Sequence, residues 1–145
     1  MSPQCPDCGA VFEEEDSCQS IFDSFLVLEF TDPAYGEVHL LTVACFMIQH
    51  RRYSDAALVW IEQTLRANLE DGVEAGQIRR QAARETGQGR RAWKIIRQPD
   101  ARPLPPIAWS MTIADVARGY QDAGSYRDLV KRWAAATLKE MKLFL

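Results

Sequence analysis

The sequence feature that most constrains this fold is a helical segment that is apolar on almost every side. The letters HLLTVACFMIQH at positions 39–50 include no Asp, Glu, Lys or Arg. A surface helix has one apolar face, whereas a helix that is apolar all round needs cover on every side. We therefore predict a central, buried helix that runs from about Tyr35 to His50.

The rest of the chain also has helical periodicity, and this predicts an all-α fold, a helical bundle. A first helix is expected to begin near Ser17 or Cys18 and to end at about Phe30. The dipeptide DP at 32–33 stops this helix, because proline disfavours a helical conformation in the residue before it. The first two helices are then joined by a short turn.

The later part of the chain contains further helix signals. A third helix is expected between an N-cap at Ser54 and the Asp-Gly pair at 71–72. A basic helix is expected over 73–86. Capping boxes are predicted at 112–115 (TIAD) and 125–128 (SYRD), because each places a hydroxyl at the cap and an Asp three residues later.

The length of 145 residues, with 47% hydrophobic and 26% charged residues, predicts one globular domain. Its segments are a metal-binding knuckle (1–17), a helical hairpin plus third helix (18–72), a basic helix and Pro-rich loop (73–106) and C-terminal helices (107–145). The apolar stretches are shorter than the roughly 20 residues needed to cross a bilayer. The first residues lack the pattern of a secretory signal, so we expect a cytoplasmic protein.

The N-terminal segment CPDCG at 5–9 has the form of a zinc knuckle. Two thiolates two residues apart can bind one ion, and the glycine after the second permits a tight turn that points backbone N–H groups at the sulfurs. A tetrahedral site needs two more ligands. The remaining cysteines and histidines of the chain are Cys18, His39, Cys45 and His50.

Helical geometry selects among these candidates. His39 and His50 lie about 16 Å apart along a helix axis, so they cannot both bind one ion. The first two helices should be antiparallel, which places Cys18 opposite His50 and Glu29 opposite His39. The predicted Zn²⁺ ligands are Cys5, Cys8, Cys18 and His50, with His39 as the substitute for His50.

Each of these residues also has an alternative interpretation. Cys5 and Cys8 could form a free or redox-active dithiol, although a thioredoxin-like βαβ pattern is absent from the sequence. Cys45 lies inside an apolar helix and is expected to be an ordinary core residue. The pair of Glu29 and His39 is more often a buried hydrogen-bonded pair than a second metal site.

Several motifs together resemble a widespread family of small uncharacterised bacterial proteins, a domain of unknown function. These motifs are CPDCGA at 5–10, Cys18, DPAY at 32–35, HLLTVACFMIQH at 39–50 and TIADV at 112–116 followed by a Trp-Ala helix. The resemblance covers most of the chain and implies that the family pattern includes Cys5, Cys8, Cys18, His39 and His50. Members commonly have Asp and Pro where this chain has Ala44 and Arg51. The family has no assigned activity, so the resemblance implies a fold and candidate ligands only.

Charge is distributed unevenly along the chain, although the net charge is only −3. Residues 1–37 contain nine acidic residues and no Lys or Arg, whereas residues 79–102 contain eight basic residues against two acidic ones, a net +6. The basic stretch, with Trp93 available for stacking, makes nucleic-acid binding one hypothesis. The acidic pI near 5.4 argues against it.

The preferred function is a structural zinc site in a non-catalytic module that binds a protein partner, because a closed four-ligand site is typical of structural zinc. The alternative enzyme would be metal-dependent, with Glu29 as general base and His39 as ligand or acid. No HExxH, GxSxG, phosphate-binding loop or dinucleotide fingerprint supports a reaction class. The sequence thus assigns no catalytic residue.

Overall fold

The computed structural model describes residues 4–12, 17–70 and 107–141. These residues form α-helices and no regular strand, which confirms the all-α prediction. The helices are α1 (Cys18–Thr31), α2 (Pro33–Gly36), α3 (His39–Gln49), α4 (Asp55–Glu70), α5 (Ile113–Gly119) and α6 (Ala123–Met141). None of them combines the length and apolar content required to cross a membrane. The predicted basic helix, the Pro-rich loop and the Arg-rich stretch 79–102 lie outside the described residues.

The apolar helix α3 lies at the centre of the described helices, as its composition predicts. It packs against α1, α4 and α6. Its buried side chains are Leu41, Thr42, Ala44, Cys45, Phe46, Ile48 and Gln49. Helix α6 supplies most of the opposing surface through a stripe of buried residues that includes Tyr126, Val130 and Trp133.

Helix α1 begins where the sequence predicts, but the predicted start of the central helix near Tyr35 is wrong. The Asp32 side chain accepts a hydrogen bond from the Ala34 amide (2.9 Å), and Pro33 opens a separate turn of helix, α2. The chain then leaves the helical conformation at Val38 (φ −104°, ψ 14°), so α3 begins only at His39. The cap and the proline thus start a separate helix of four residues, and α3 begins after it.

The two predicted capping boxes have different outcomes. The first is present, since the Thr112 amide donates to Asp115 at 2.8 Å at the start of α5. The second lies three residues earlier than predicted. The Ser125 amide donates to Asp122 Oδ1 (2.8 Å), and Ser125 Oγ accepts from the Asp122 amide (3.0 Å). Asp122 is therefore the N-cap of α6. Ser125 occupies position N3 of the capping box, not the N-cap position predicted for it.

A close approach at Gly36 joins α2 to α1. A Cβ atom at Gly36 would lie 2.6 Å from the backbone oxygen of Glu29, which is too short for a non-bonded contact. Backbone cannot move aside as a flexible side chain can. The glycine therefore allows the turn between α1 and α3 to remain short.

We predict that Gly36→Ala lowers the free energy of unfolding by about 1–3 kcal/mol, because the added methyl group forces α1 and α2 apart. Gly124→Ala is the matched control. Its Cβ would meet nothing closer than 3.5 Å, and alanine favours the helix, so stability is unchanged or slightly higher. Urea denaturation of both variants checks this, and equal stabilities would contradict the packing argument.

Candidate metal centre

The N-terminal cysteines lie in a tight turn of backbone. Gln4 and Val11 form an antiparallel bridge, and within it the Cys5 amide donates to the Ala10 carbonyl at 2.8 Å. The Gly9 amide donates back to the Cys5 carbonyl at 3.0 Å, with Gly9 in the left-handed region at φ +82°. This turn, which we call the N-terminal hairpin (residues 4–12), has the knuckle form predicted from CPDCG, and it uses the glycine for the predicted reason.

The structure brings the four predicted ligands into one cluster. Cys18 is the first residue of α1 and His50 is the C-cap of α3, so antiparallel packing places them side by side. The cluster consists of Cys5, Cys8, Cys18 and His50, whose ligand atoms all lie within 4.8 Å of one another. We call it the Cys3His cluster.

The distances in the Cys3His cluster suit a tetrahedral metal ion. The sulfurs of Cys8 and Cys18 are 3.4 Å apart, and Cys5 Sγ is 3.6 Å from His50 Nε2. Tetrahedral zinc bonds of about 2.3 Å to sulfur and 2.0–2.1 Å to nitrogen require ligand separations of about 3.5–3.8 Å. All three cysteines are free thiols and none forms a disulfide. The cluster is therefore a group that could bind a metal ion.

The orientation of His50 is set by its own helix. Its Nδ1–H donates to the Phe46 carbonyl at 2.7 Å, and a carbonyl oxygen can only accept. In the neutral ring the proton is therefore on Nδ1, and the Nε2 lone pair faces the cysteines. A backbone carbonyl that holds the second ring nitrogen is a common feature of metal-binding histidines.

The cysteine thiols perturb one another strongly. The hydrogen bond from the Cys18 thiol, opposed by burial and assisted by His50, lowers the pKa of Cys8 to about 4. The same hydrogen bond, together with burial, raises the pKa of Cys18 well above its usual range. Of these two hydrogen-bonded cysteines, the thiolate form is therefore favoured at Cys8.

The chain reverses direction directly after His50. The Arg52 amide donates to the Met47 carbonyl and the Arg51 amide to the Ile48 carbonyl, both at 3.0 Å, which closes a Schellman motif. Arg51 is the residue of this motif that adopts the left-handed conformation, with φ +56°. The candidate ligand His50 therefore lies at the C-terminal end of α3.

Two arginines fasten the N-terminal hairpin to the helices. The guanidinium of Arg51 is 2.5 Å from the Asp7 carboxylate, and Arg118 on α5 donates to the Val11 carbonyl at 3.1 Å. Both side chains of the ion pair are about one-third exposed, so the pair contributes little stability. Sequence reasoning missed both arginine contacts, because nothing local relates these arginines to the N-terminal residues. The hairpin also packs against the helices through Ala10 and Phe12, which are buried in the hydrophobic core.

A cavity of about 340 Å³ opens beside the Cys3His cluster. Cys5, Cys18 and His50 form part of its wall, and the aromatic rings of Phe12 and Phe46 form another part. The cluster is therefore reached from one side.

The opposite end of the α1 and α3 pair holds a second polar cluster around Glu29. Its carboxylate accepts hydrogen bonds from three side chains, namely His39 Nδ1 (2.7 Å), Thr42 Oγ1 (2.6 Å) and Tyr126 Oη (2.5 Å). The Glu29 side chain is completely buried, whereas that of His39 is 30% exposed. Burial and the hydrogen bond to Glu29 raise the pKa of Tyr126 above its usual range, so the phenol stays a donor.

The contact between Glu29 and His39 was predicted from helix geometry, and it is present. His39 is hydrogen-bonded at this end of α3, about 16 Å along the axis from His50, and the Cys3His cluster does not include it. Sequence reasoning missed Thr42 and Tyr126. Thr42 follows His39 by three residues on the same helical face, which could have indicated it, but only the packing of α6 brings in Tyr126.

Cys45 is an ordinary core residue, as predicted. It is fully buried, and burial raises the pKa of its thiol to about 12. It lies outside the Cys3His cluster. On α3, Cys45 packs in the core and is not one of the candidate metal ligands.

The comparisons with known proteins agree with the resemblance seen in the motifs. Residues 3–142 match a family of unknown function, DUF5946, and the chain belongs to this family. No curated protein and no solved structure matches the chain. The predicted membership of a domain family of unknown function is confirmed.

We predict that Glu29→Gln lowers the free energy of unfolding by about 1–3 kcal/mol, because charge-assisted hydrogen bonds become neutral and one carboxylate acceptor becomes a donor. Glu37→Gln is the matched control, since the Glu37 side chain is 69% exposed and pairs with Arg127 at the surface. It should change stability by less than about 0.5 kcal/mol. Denaturant unfolding measures both, and full stability of Glu29→Gln would contradict a structural role for this carboxylate.

Proposed function

We propose that this chain is a small zinc-binding helical protein whose metal site is structural, within a non-catalytic module for protein interaction. The four ligands of the proposed site are Cys5, Cys8, Cys18 and His50. The observation that carries the proposal is that these ligand atoms, from three separate parts of the chain, lie within 4.8 Å of one another. The Glu29 cluster, in contrast, comprises hydroxyl, carboxylate and imidazole groups that satisfy one another.

The donor set favours Zn²⁺ over other common ions. Three thiolates and one imidazole match the Cys3His set of structural zinc sites, whereas Mg²⁺ and Ca²⁺ prefer oxygen ligands. Four protein ligands fill a tetrahedral ion, which leaves no position for water or substrate. A bound cation would also favour the thiolate form of Cys18, whose pKa is raised by its hydrogen bond with Cys8 and by burial.

The metal would connect three separate parts of the chain. The N-terminal hairpin supplies two ligands, the start of α1 supplies Cys18 and the end of α3 supplies His50. The contacts of Arg51 and Arg118 with the hairpin are partly exposed. The free energy of metal binding is therefore available to hold the hairpin against the helical core.

The cytoplasm is the compartment we propose, and another protein is the partner. All four cysteines are free thiols, and a reducing compartment preserves them. Exposed apolar side chains on the outer face of α1, Val27 and Phe30, support a protein contact. The nine acidic residues in 1–37 disfavour nucleic acid. The Arg-rich stretch 79–102, which carried that hypothesis, lies outside the described residues.

The contacts of Glu29 argue against the enzyme hypothesis. The carboxylate is fully buried, and three side-chain donors surround its two oxygens. A general base must lie within hydrogen-bond reach of its substrate, and the Glu29 side chain is not exposed to one. The cavity beside the Cys3His cluster lies at the other end of the helix pair. The geometry therefore favours a structural role for both Glu29 and His39.

We predict about one zinc per chain in protein purified without added metal, as expected for a closed four-ligand site. Cys8→Ser and His50→Ala should lose the metal and unfold at lower temperature, because metal binding and folding are coupled. The matched controls Cys45→Ser and His39→Ala should keep it. Elemental analysis by mass spectrometry, with thermal unfolding before and after EDTA, measures both effects.

Two results would contradict the proposal. Wild-type protein without metal, even after refolding in the presence of zinc, would leave Cys5 and Cys8 as a dithiol. If the His50→Ala variant kept its metal and the His39→Ala variant lost it, the metal site would lie at the Glu29 end of the helix pair. In that case the enzyme hypothesis would be favoured.

A further inference from the structure

The three cysteines of the Cys3His cluster differ in their access to solvent. Cys8 and Cys18 are only 2% and 7% exposed, and His50 is 8% exposed. Cys5 alone among these four residues is partly exposed. Any reagent that reaches the cluster therefore meets Cys5 first.

The cavity beside the cluster provides the route to Cys5. It is about 340 Å³ in volume, large enough for a small molecule, and Cys5 forms part of its wall. Cys18 also borders it but is nearly buried, and Cys8 is not among the residues that line it. The exposed side chain of Gln19, near the start of α1, lies at the edge of this cavity.

The neighbours of Cys5 determine what its modification would lead to. The sulfurs of Cys8 and Cys18 both lie within 4.8 Å of Cys5 Sγ. An accessible thiolate with a resolving thiol beside it is the arrangement found in cysteines that sense oxidants. Cys8 lies in the same turn as Cys5, so a bond between these two does not require α1 to move.

On the basis of the proposed zinc site, we propose that Cys5 is a modification site for small hydroperoxides and that its oxidation releases the metal. The Cys5 thiolate attacks one peroxide oxygen; an S–O bond forms, the O–O bond breaks and the departing oxygen takes up a proton. Sulfur loses two electrons and becomes a sulfenic acid.

The second step is the formation of a disulfide. The Cys8 thiolate attacks the Cys5 sulfur, the S–S bond forms, and hydroxide leaves and is protonated to water. The ion then keeps only Cys18 and His50 as ligands, too few for a stable tetrahedral site. Loss of the ion frees the N-terminal hairpin from the metal that fastened it to α1 and α3.

The test adds one equivalent of hydrogen peroxide to the zinc-loaded full chain while a chromogenic chelator records zinc release. Peptide mapping after rapid alkylation identifies the oxidised residues. We expect zinc release in step with a Cys5–Cys8 disulfide, reversed by dithiothreitol and added zinc, with Cys45 still a free thiol. A disulfide that leaves Cys5 as a free thiol, or zinc retained after Cys5 is oxidised, would overturn the proposal.

Access through the cavity is tested with a bulky substitution at its edge. Gln19→Trp should keep the zinc content and slow the release of zinc severalfold. Gln63→Trp, at an exposed position on α4, is the matched control and should match wild type. Equal release rates in both variants would overturn the cavity route. Protein that never contains zinc would instead refute the proposed function, so the two failures are distinguishable.

Discussion

The antiparallel packing of α1 against α3 is the constraint on which the rest of this structure depends. It follows from an apolar central helix that must be covered and from a turn at 32–38 that is too short for another arrangement. In an antiparallel pair, the start of one helix lies beside the end of the other. Cys18 therefore lies beside His50, and Glu29 lies beside His39. The two polar clusters of the described residues are consequences of this one pairing.

The two clusters lie at opposite ends of the helix pair and bring together different chemical groups. At the Glu29 end, a buried carboxylate is compensated by hydrogen bonds from imidazole, hydroxyl and phenol groups, so the site is complete without an added ion. At the Cys3His end, the sulfurs of Cys8 and Cys18 are 3.4 Å apart, and their hydrogen bond together with burial raises the pKa of Cys18. We propose that a zinc ion completes that end and adds to the packing of the N-terminal hairpin against the helices.

The sequence predicted those features that depend on periodicity and on short-range spacing. The helical fold, the beginning of α1, the knuckle turn at Gly9 and the meeting of Cys18 with His50 all follow from such signals. The start of α3 and the cap of α6 were predicted wrongly, because Asp32 and Asp122 each cap a helix at a position that the sequence reasoning did not choose. Tyr126 could not be assigned to Glu29, because its approach depends on how α6 crosses the helix pair. No local pattern encodes that crossing.

The central claim is that one zinc ion is bound by three thiolates and one imidazole that come from three parts of the chain. X-ray absorption spectroscopy at the zinc edge tests it most directly, since it counts sulfur and nitrogen scatterers around the ion. The proposed Cys3His site should give three sulfurs at about 2.3 Å and one nitrogen at about 2.0–2.1 Å. A shell dominated by oxygen or nitrogen, or one with two sulfurs and bound water, would contradict it.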